Sequence, residues 1–313
     1  MVPAPVEDPL VDRPFVVICG PTAVGKTAAS VALAQRIGAE IIAADSRTIY
    51  RFMDIGTAKP SSEQRRAVPH HLLDIADPDE VVTLATYRGL AAGAIAQVRG
   101  RGRVPLLVGG TGLYIRAVVE GFTIPAVPPD RELRCRLEET EQHAPGALYA
   151  RLAALDPAAA ARIHPRNTRR LIRALEVYEH TGRPISSLQG RGDPLGRALQ
   201  IGLTMAREAL YRAIDDRVDG QIAAGLVEEV RGLLARGYAP SLPSMHGLGY
   251  KEIAAHLDGG IPLEEAIRTL KRNTRRFAKR QYTWFRADPR IRWIDVDDRD
   301  AEQVARAIHA MIE

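Results

Sequence analysis

Apolar and polar positions fall into two textures along this chain. Residues 14–19 (PFVVIC) form a short run without a polar residue, the pattern of a strand buried on both faces of a parallel sheet. It leads straight into GPTAVGKT at residues 20–27, followed by a helical stretch to Ile37 that Gly38 closes. Residues 40–45 (EIIAAD) predict a second strand ending in a carboxylate, and residues 84–99 a helix. Another buried strand, residues 104–108 (VPLLV), ends in GGTG. Strands and helices alternating in this way predict a parallel α/β sheet with its site at the strands' carboxyl ends.

After Gly121 the texture changes. Residues 122–129 (FTIPAVPP) are proline-rich and read as a hinge, and the pattern from Asp130 to Thr181 is helical with no buried-strand signal. Residues 182–196 are loop-like, and residues 198–203 (ALQIGL) return to an apolar strand. The chain therefore divides into a first part of the core (residues 1–124), a helical insertion (125–198) and a second, mostly helical part of the core (199–313) with a short strand at 291–296.

Composition removes several classes. With 313 residues, 46% of them apolar and 26% charged, wholesale disorder is excluded. Cys19 and Cys135 are the only cysteines, too few for a disulfide scaffold or a zinc cluster, which suits a reducing compartment. The first 13 residues are proline-rich and acidic and do not read as a signal peptide. No apolar run approaches the ~20 residues of a membrane helix. A cytoplasmic, membrane-free monomer is expected.

The net charge of +5 hides an asymmetry. Residues 162–183 hold six arginines against Glu176 and Glu179, and residues 266–287 hold eight cations and no acid, interleaved with Phe277, Tyr282, Trp284 and Phe285. These segments carry +4 and +8, leaving −7 on the rest of the chain. A cationic helix face is often only solvated. Cations interleaved with aromatics also suit a phosphate backbone and stacked bases, and two such runs beside a phosphate loop favour a nucleic-acid substrate.

That phosphate loop is the strongest local signal. Gly20, Pro21, Thr22, Ala23, Val24, Gly25, Lys26 and Thr27 satisfy G-x-x-x-x-G-K-[ST] between a buried strand and a helix, the context of a P-loop NTPase-like core. Backbone N–H groups at a helix N-terminus would wrap a diphosphate, Lys26 would add a point charge, and Thr27 would offer a hydroxyl to Mg²⁺. A nucleoside triphosphate and an organic diphosphate satisfy such a loop equally. Where an ordinary ATPase carries a metal-binding aspartate, the strand at 104–108 ends in GGTG, and the carboxylate at a neighbouring strand end is Asp45. Asp45 reads as a proton acceptor or as a turn aspartate, GGTG as a site loop or a tight turn. His70 and His71, adjacent on an extended segment, point to opposite sides and read as structural.

GPTAVGKT at 20–27, DSRTIY at 45–50, MDIGTAKP at 53–60, PHHLLD at 69–74, GGTGLY at 109–114, RALEV at 173–177, GYKE at 249–252 and TRRFAKRQYTWFR at 274–286 occur in one order. Together they resemble the tRNA dimethylallyltransferases, or isopentenyl-tRNA transferases. The resemblance implies transfer of a dimethylallyl group from dimethylallyl diphosphate to N6 of the adenosine 3′ of the anticodon, tRNA position 37, in tRNAs reading codons that begin with U. It implies Asp45 as the base, Lys26 and Arg217 on the diphosphate, and Thr111 lining the channel where the two substrates meet. It also implies tRNA contacts at Asp45, Ser46, Arg47, Thr48, Thr111 and Arg134, at Arg169, Arg170, Leu171, Ile172 and Arg173, and at His246, Gly247, Leu248, Gly249, Tyr250 and Lys251, with the helical insertion gripping the anticodon stem-loop. Thr48 and Arg169 stand where the family usually has Gln; Thr is shorter, and Arg offers donors only. The competing readings are a nucleotide or small-molecule kinase, which would consume ATP, an adenylate isopentenyltransferase, which leaves both basic runs without a role, and a non-catalytic RNA-binding P-loop protein, which has no use for Asp45.

Overall fold

The computed structural model describes residues 15–192 and 194–312. Pro14, expected to open the first strand, and the acidic N-terminal stretch lie outside them. The chain first builds β1 (Phe15–Cys19), α1 (Lys26–Ile37), β2 (Ala39–Ala43), α2 (Ser62–Ala67), β3 (His70–His71), α3 (Leu84–Gly100), β4 (Val104–Gly109) and α4 (Gly112–Val119). Then come β5 (Phe122–Thr123), α5 (Arg131–His143), α6 (Ala147–Leu155), α7 (Pro157–Ala160), α8 (Thr168–Thr181), α9 (Ile185–Leu188) and β6 (Gly190–Arg191). The last part is β7 (Ala198–Thr204), α10 (Arg207–Ala223), α11 (Leu226–Ala235), α12 (Tyr250–Leu257), α13 (Leu263–Arg286), β8 (Arg292–Asp295) and α14 (Ala301–His309).

Six strands form one parallel sheet in the order β3-β2-β4-β1-β7-β8. The central strand β1 explains its own composition: Val16 and Ile18 pack with α1 and α14 on one face, while Phe15, Val17 and Cys19 pack with α3 and α4 on the other. With both faces covered, a polar residue in β1 would be stranded without water. β1 sits between β4 and β7, where the winding of the sheet reverses, and the crevice at such a reversal lies beyond the carboxyl ends of the strands. A third apolar cluster, including Met53, Val218, Leu226, Tyr250 and Leu270, fixes α10 to α13 over that end of the sheet.

The segment between β5 and β6 has a core of its own, in which Leu133, Leu137, Leu148, Leu152, Leu171 and Leu175 meet. The proline-rich hinge is more ordered than its composition implies. Its first two residues pair antiparallel with Gly190–Arg191, so the outgoing and returning strands are stitched together at the junction. Within the helical unit, the wholly buried Glu176 carboxylate accepts two hydrogen bonds from Arg134, at 2.7 and 2.8 Å, one from Arg173 at 2.5 Å and one from the Asp130 N–H at 2.8 Å. Burial alone would raise its pKa, but these donors outweigh burial and hold it at about 2. No helix of the described residues is long and apolar enough to cross a membrane.

Candidate active site

The phosphate loop is shaped by three residues of positive φ, Gly20 at 141°, Ala23 at 66° and Gly25 at 88°. Gly20 is also required sterically, because a Cβ there would lie 2.7 Å from the Leu203 carbonyl oxygen of β7. α1 opens on Gly25 with no side-chain cap and no acidic residue in its first turn, which leaves its N-terminus suited to an anion. Lys26 folds back across the loop, its Nζ donating to the carbonyls of Gly20 at 3.0 Å and Pro21 at 2.6 Å. The Thr27 hydroxyl, one residue on, lines the same cavity and makes no hydrogen bond among the described residues.

The ends of β2 and β4 are locked to each other. The Ala44 N–H donates to Val108 O at 2.7 Å, the Thr111 N–H to Ala44 O at 3.1 Å, and the Ser46 N–H to Thr111 Oγ1 at 2.9 Å. The backbones approach so closely that a Cβ on Gly109 would stand 2.0 Å from Ala44 O. GGTG is therefore a packing requirement as well as a turn: Gly110 and Gly112 press on Gln281 and Trp284 in the same way. Asp45 holds the turn, its Oδ1 accepting the Arg47 N–H at 2.8 Å, and no other hydrogen bond of the carboxylate occurs among the described residues.

One cavity of about 720 Å³ collects Lys26, Thr27, Asp45, Thr111 and Arg217. Asp45 is the only carboxylate lining it among the described residues, against Lys26, Arg47, Lys59, Arg217, Lys251 and Arg280. Three of these cations are spent on the walls, Lys251 lying 3.6 Å from Glu252. Arg47 donates to the carbonyls of Pro243 and Ser244, and Lys59 to Tyr50 O, Asp54 and Asp74. Lys26 and Arg217 instead face each other's charge. Burial, helped by Arg217 and opposed by Asp45, lowers the Lys26 pKa to about 8. Burial likewise lowers that of Arg217, which makes no hydrogen bond among the described residues. Neither forms an ion pair among the described residues, so a bound anion would offset the cost of their burial.

Sequence reasoning missed the residues that hold this cavity together. Gln281 of α13, 5% exposed, accepts the Thr22 N–H at 2.8 Å and donates to Gly110 O at 2.9 Å, clamping the phosphate loop to GGTG. Its signal was an amide in a cationic run, in register with the buried positions Thr274, Ala278 and Phe285. The Glu229 carboxylate accepts from the N–H groups of Asp54, Ile55 and Gly56 and from the Tyr250 hydroxyl, fixing the 53–60 loop against α11 and α12. Nothing local marked Glu229.

The remaining expected contacts are divided. His246, Gly247, Leu248, Tyr250, Lys251, Ser46, Arg47 and Thr48 line the cavity; Tyr250 and Gly247 are buried in its wall, as is Gly249 beside them. Thr48 is 8% exposed and its Oγ1 has no partner. Arg134, Arg169, Arg170 and Arg173 lie outside the cavity, on α5 and α8. Arg134 and Arg173 are committed to Glu176, while Arg169 and Arg170 are exposed and have no acidic partner among the described residues. Leu171 and Ile172 lie in the core of the helical unit, as their apolar side chains require, so their side chains are turned away from the surface. His71 bonds Glu40 at 2.7 Å and His70 bonds Val68 O at 2.8 Å on opposite sides of β3.

Residues 48–288 match the model of the IPP transferase family, and residues 14–74 that of the isopentenyl transferases. A tRNA dimethylallyltransferase of Desulforudis audaxviator is 57% identical over 291 residues, 92% of this chain and 94% of that protein. The crystal structure of a tRNA isopentenylpyrophosphate transferase from Bacillus halodurans superposes with a TM-score of 0.71 at 45% identity over 96% of both chains. A eukaryotic dimethylallyltransferase acting on tRNA does so with a TM-score of 0.80 at 28% identity, over 96% of this chain and 78% of the other. The core thus has the P-loop NTPase-like fold, and the chain belongs to the IPP transferase family.

Proposed function

We propose that the chain transfers the dimethylallyl group of dimethylallyl diphosphate to N6 of adenosine 37, immediately 3′ of the anticodon, in tRNAs reading codons that begin with U. Its relative from Desulforudis audaxviator is a tRNA dimethylallyltransferase, and the eukaryotic neighbour is a dimethylallyltransferase acting on tRNA. The observation that carries the reading is the cavity, where one carboxylate shares a phosphate loop with Lys26 and Arg217, neither in an ion pair among the described residues. That is the arrangement a reaction needs when it loses an anion at one end and a proton at the other.

The diphosphate would lie on residues 20–27 with Lys26 and Arg217 on its oxygens. As N6 attacks C1, the C1–O bond breaks and its electron pair leaves with the diphosphate, onto which these two cations are aimed. Asp45 takes the proton that N6 sheds. Thr111, bonded to the Ser46 N–H, holds the Asp45 loop at the point where the substrates meet. An exocyclic amine is a weak nucleophile, so positioning contributes as much as basicity. Mg²⁺ fits the free Thr27 hydroxyl together with the diphosphate's own oxygens, and would supply further neutralisation of the leaving group. The target adenosine must leave the anticodon loop's stack, which costs less in a loop than in a duplex. Arg169 and Arg170, exposed at the start of α8, would meet the stem's phosphates.

Position is tested with anticodon stem-loops in which the sole loop adenosine is moved. Modification confined to the base 3′ of the anticodon is expected, and equal modification of a shifted adenosine would contradict the assignment.

A further inference from the structure

Glu229 lies outside the active-site cavity, yet it fastens one of the cavity's walls. The segment that begins at Asp45 lines the cavity twice, at residues 45–48 and again at residues 56–60, and between these stretches it buries Ile49, Tyr50 and Met53 beside Val218 of α10 and Leu226 of α11. The first stretch is tied to the sheet by the Ser46 bond to Thr111. The second is tied to α10 and α11. Glu229 Oε2 accepts the N–H groups of Asp54 at 2.9 Å and Ile55 at 2.7 Å, while Oε1 accepts that of Gly56 at 3.1 Å and the Tyr250 hydroxyl at 2.7 Å. Gln221 Nε2 donates to the carbonyls of the same loop, Ile55 at 2.7 Å and Gly56 at 3.1 Å.

Such a grip is more than a turn needs. Phe52 and Ala58, on either side of it, have φ of 66° and 48°, a region that residues other than glycine keep only where surrounding contacts hold them. Gly56 has no room for a side chain, since a Cβ would lie 2.5 Å from the Tyr250 ring. Glu229 forms no ion pair among the described residues, and its charge is met by these four donors. Gln221 passes the grip to α10. It stands four residues from Arg217, one turn along the same helix face, and both line the cavity. Arg217 makes no hydrogen bond among the described residues, so the placement of α10 aims its guanidinium. Residues 45–60 thus act as a strut between the strand ends and the helix that carries Arg217.

We infer that Glu229 is a positioning residue for the transfer: it locks the 54–56 backbone onto Gln221, and the strut so completed sets where Arg217 meets the diphosphate. The inference rests on the diphosphate reading of the site above and adds to it a residue that touches no substrate.

Inorganic diphosphate with Mg²⁺, titrated calorimetrically into the whole protein, reads the placement of Arg217 without any RNA. Glu229→Gln keeps one acceptor oxygen and turns an amide NH₂ on the other pair of donors, so it loosens the grip on residues 54–56. It should weaken diphosphate binding about 10- to 100-fold, the range for losing one hydrogen-bonding partner of a charged group. Arg217→Ala should lose a similar factor, and the double variant no more than either single one, because both act through the same guanidinium. Gln221→Met removes both Nε2 donors and leaves the Glu229 bonds in place; it should show the same loss, and it carries the test if Glu229→Gln does not fold. Unchanged diphosphate affinity in either folded variant, or losses that multiply with Arg217→Ala, would overturn the inference. Failure of the unsubstituted protein to bind diphosphate would instead count against the reading of the site itself.

Discussion

Asp45→Ala should lower the rate of dimethylallyl transfer by about 10²–10⁴-fold, the range for loss of a positioned general base, while leaving stem-loop affinity within a few-fold. The expectation follows from the make-up of the cavity wall, where Asp45 is the only carboxylate among the described residues. Alanine also removes the acceptor for the Arg47 N–H. Asp45→Asn separates the two roles, since its amide oxygen keeps the turn while its basicity is gone. Both variants should be equally inactive in single-turnover assays with the stem-loop bound. Retained turnover in Asp45→Asn would assign the carboxylate to the turn alone.

Lys26→Met should reduce kcat/KM by about 10²–10³-fold, the usual cost of removing one donor from developing negative charge. Its pH behaviour is the sharper observable. Burial and the Arg217 charge hold Lys26 at about 8 in the free protein, well below its ordinary 10.5. A bound diphosphate favours the charged form and raises that value again, so binding between pH 8 and 9 must take up protons. Diphosphate affinity should accordingly be full below pH 8 and fall as pH rises above it. Calorimetry in buffers of different ionisation enthalpy measures the uptake. Lys26→Met should lose the part of it that does not come from the diphosphate's own titration, and identical uptake in variant and parent would refute the assignment.

The candidate site was legible where chemistry coincides with a strand end. The phosphate loop, Asp45 and Thr111 each follow a buried apolar run, and that context fixes their place at the carboxyl ends of the parallel strands. Arg217 had no such context and rested on family resemblance; α10 nevertheless delivers it to the same cavity. What holds the site together was illegible because it is non-local. Gln281 reaches the phosphate loop across 259 positions, and Glu229 reaches the 53–60 loop from α11. β5 and β6, at two residues each, are too short to leave a period in the sequence, so their pairing reads as a hinge.

The charge asymmetry was legible too, but less of it is available to RNA than the count implies. On α13, Arg268, Lys271 and Arg275 pair with Glu265, Asp219 and Asp215, and on α8 Arg173 is consumed by Glu176. Arg162, Arg166, Arg169, Arg170 and Arg183 in the first run and Arg272, Arg276, Lys279, Arg280 and Arg286 in the second keep no acidic partner among the described residues, and these are the cations an RNA backbone would meet.

The central claim is that the phosphate loop serves a departing diphosphate rather than a nucleotide. Incubation with labelled dimethylallyl diphosphate, Mg²⁺ and an anticodon stem-loop, without ATP, tests it most directly. The account predicts label on N6 of the adenosine 3′ of the anticodon and release of one diphosphate per transfer. Transfer that requires ATP, or no label on the RNA, would contradict it.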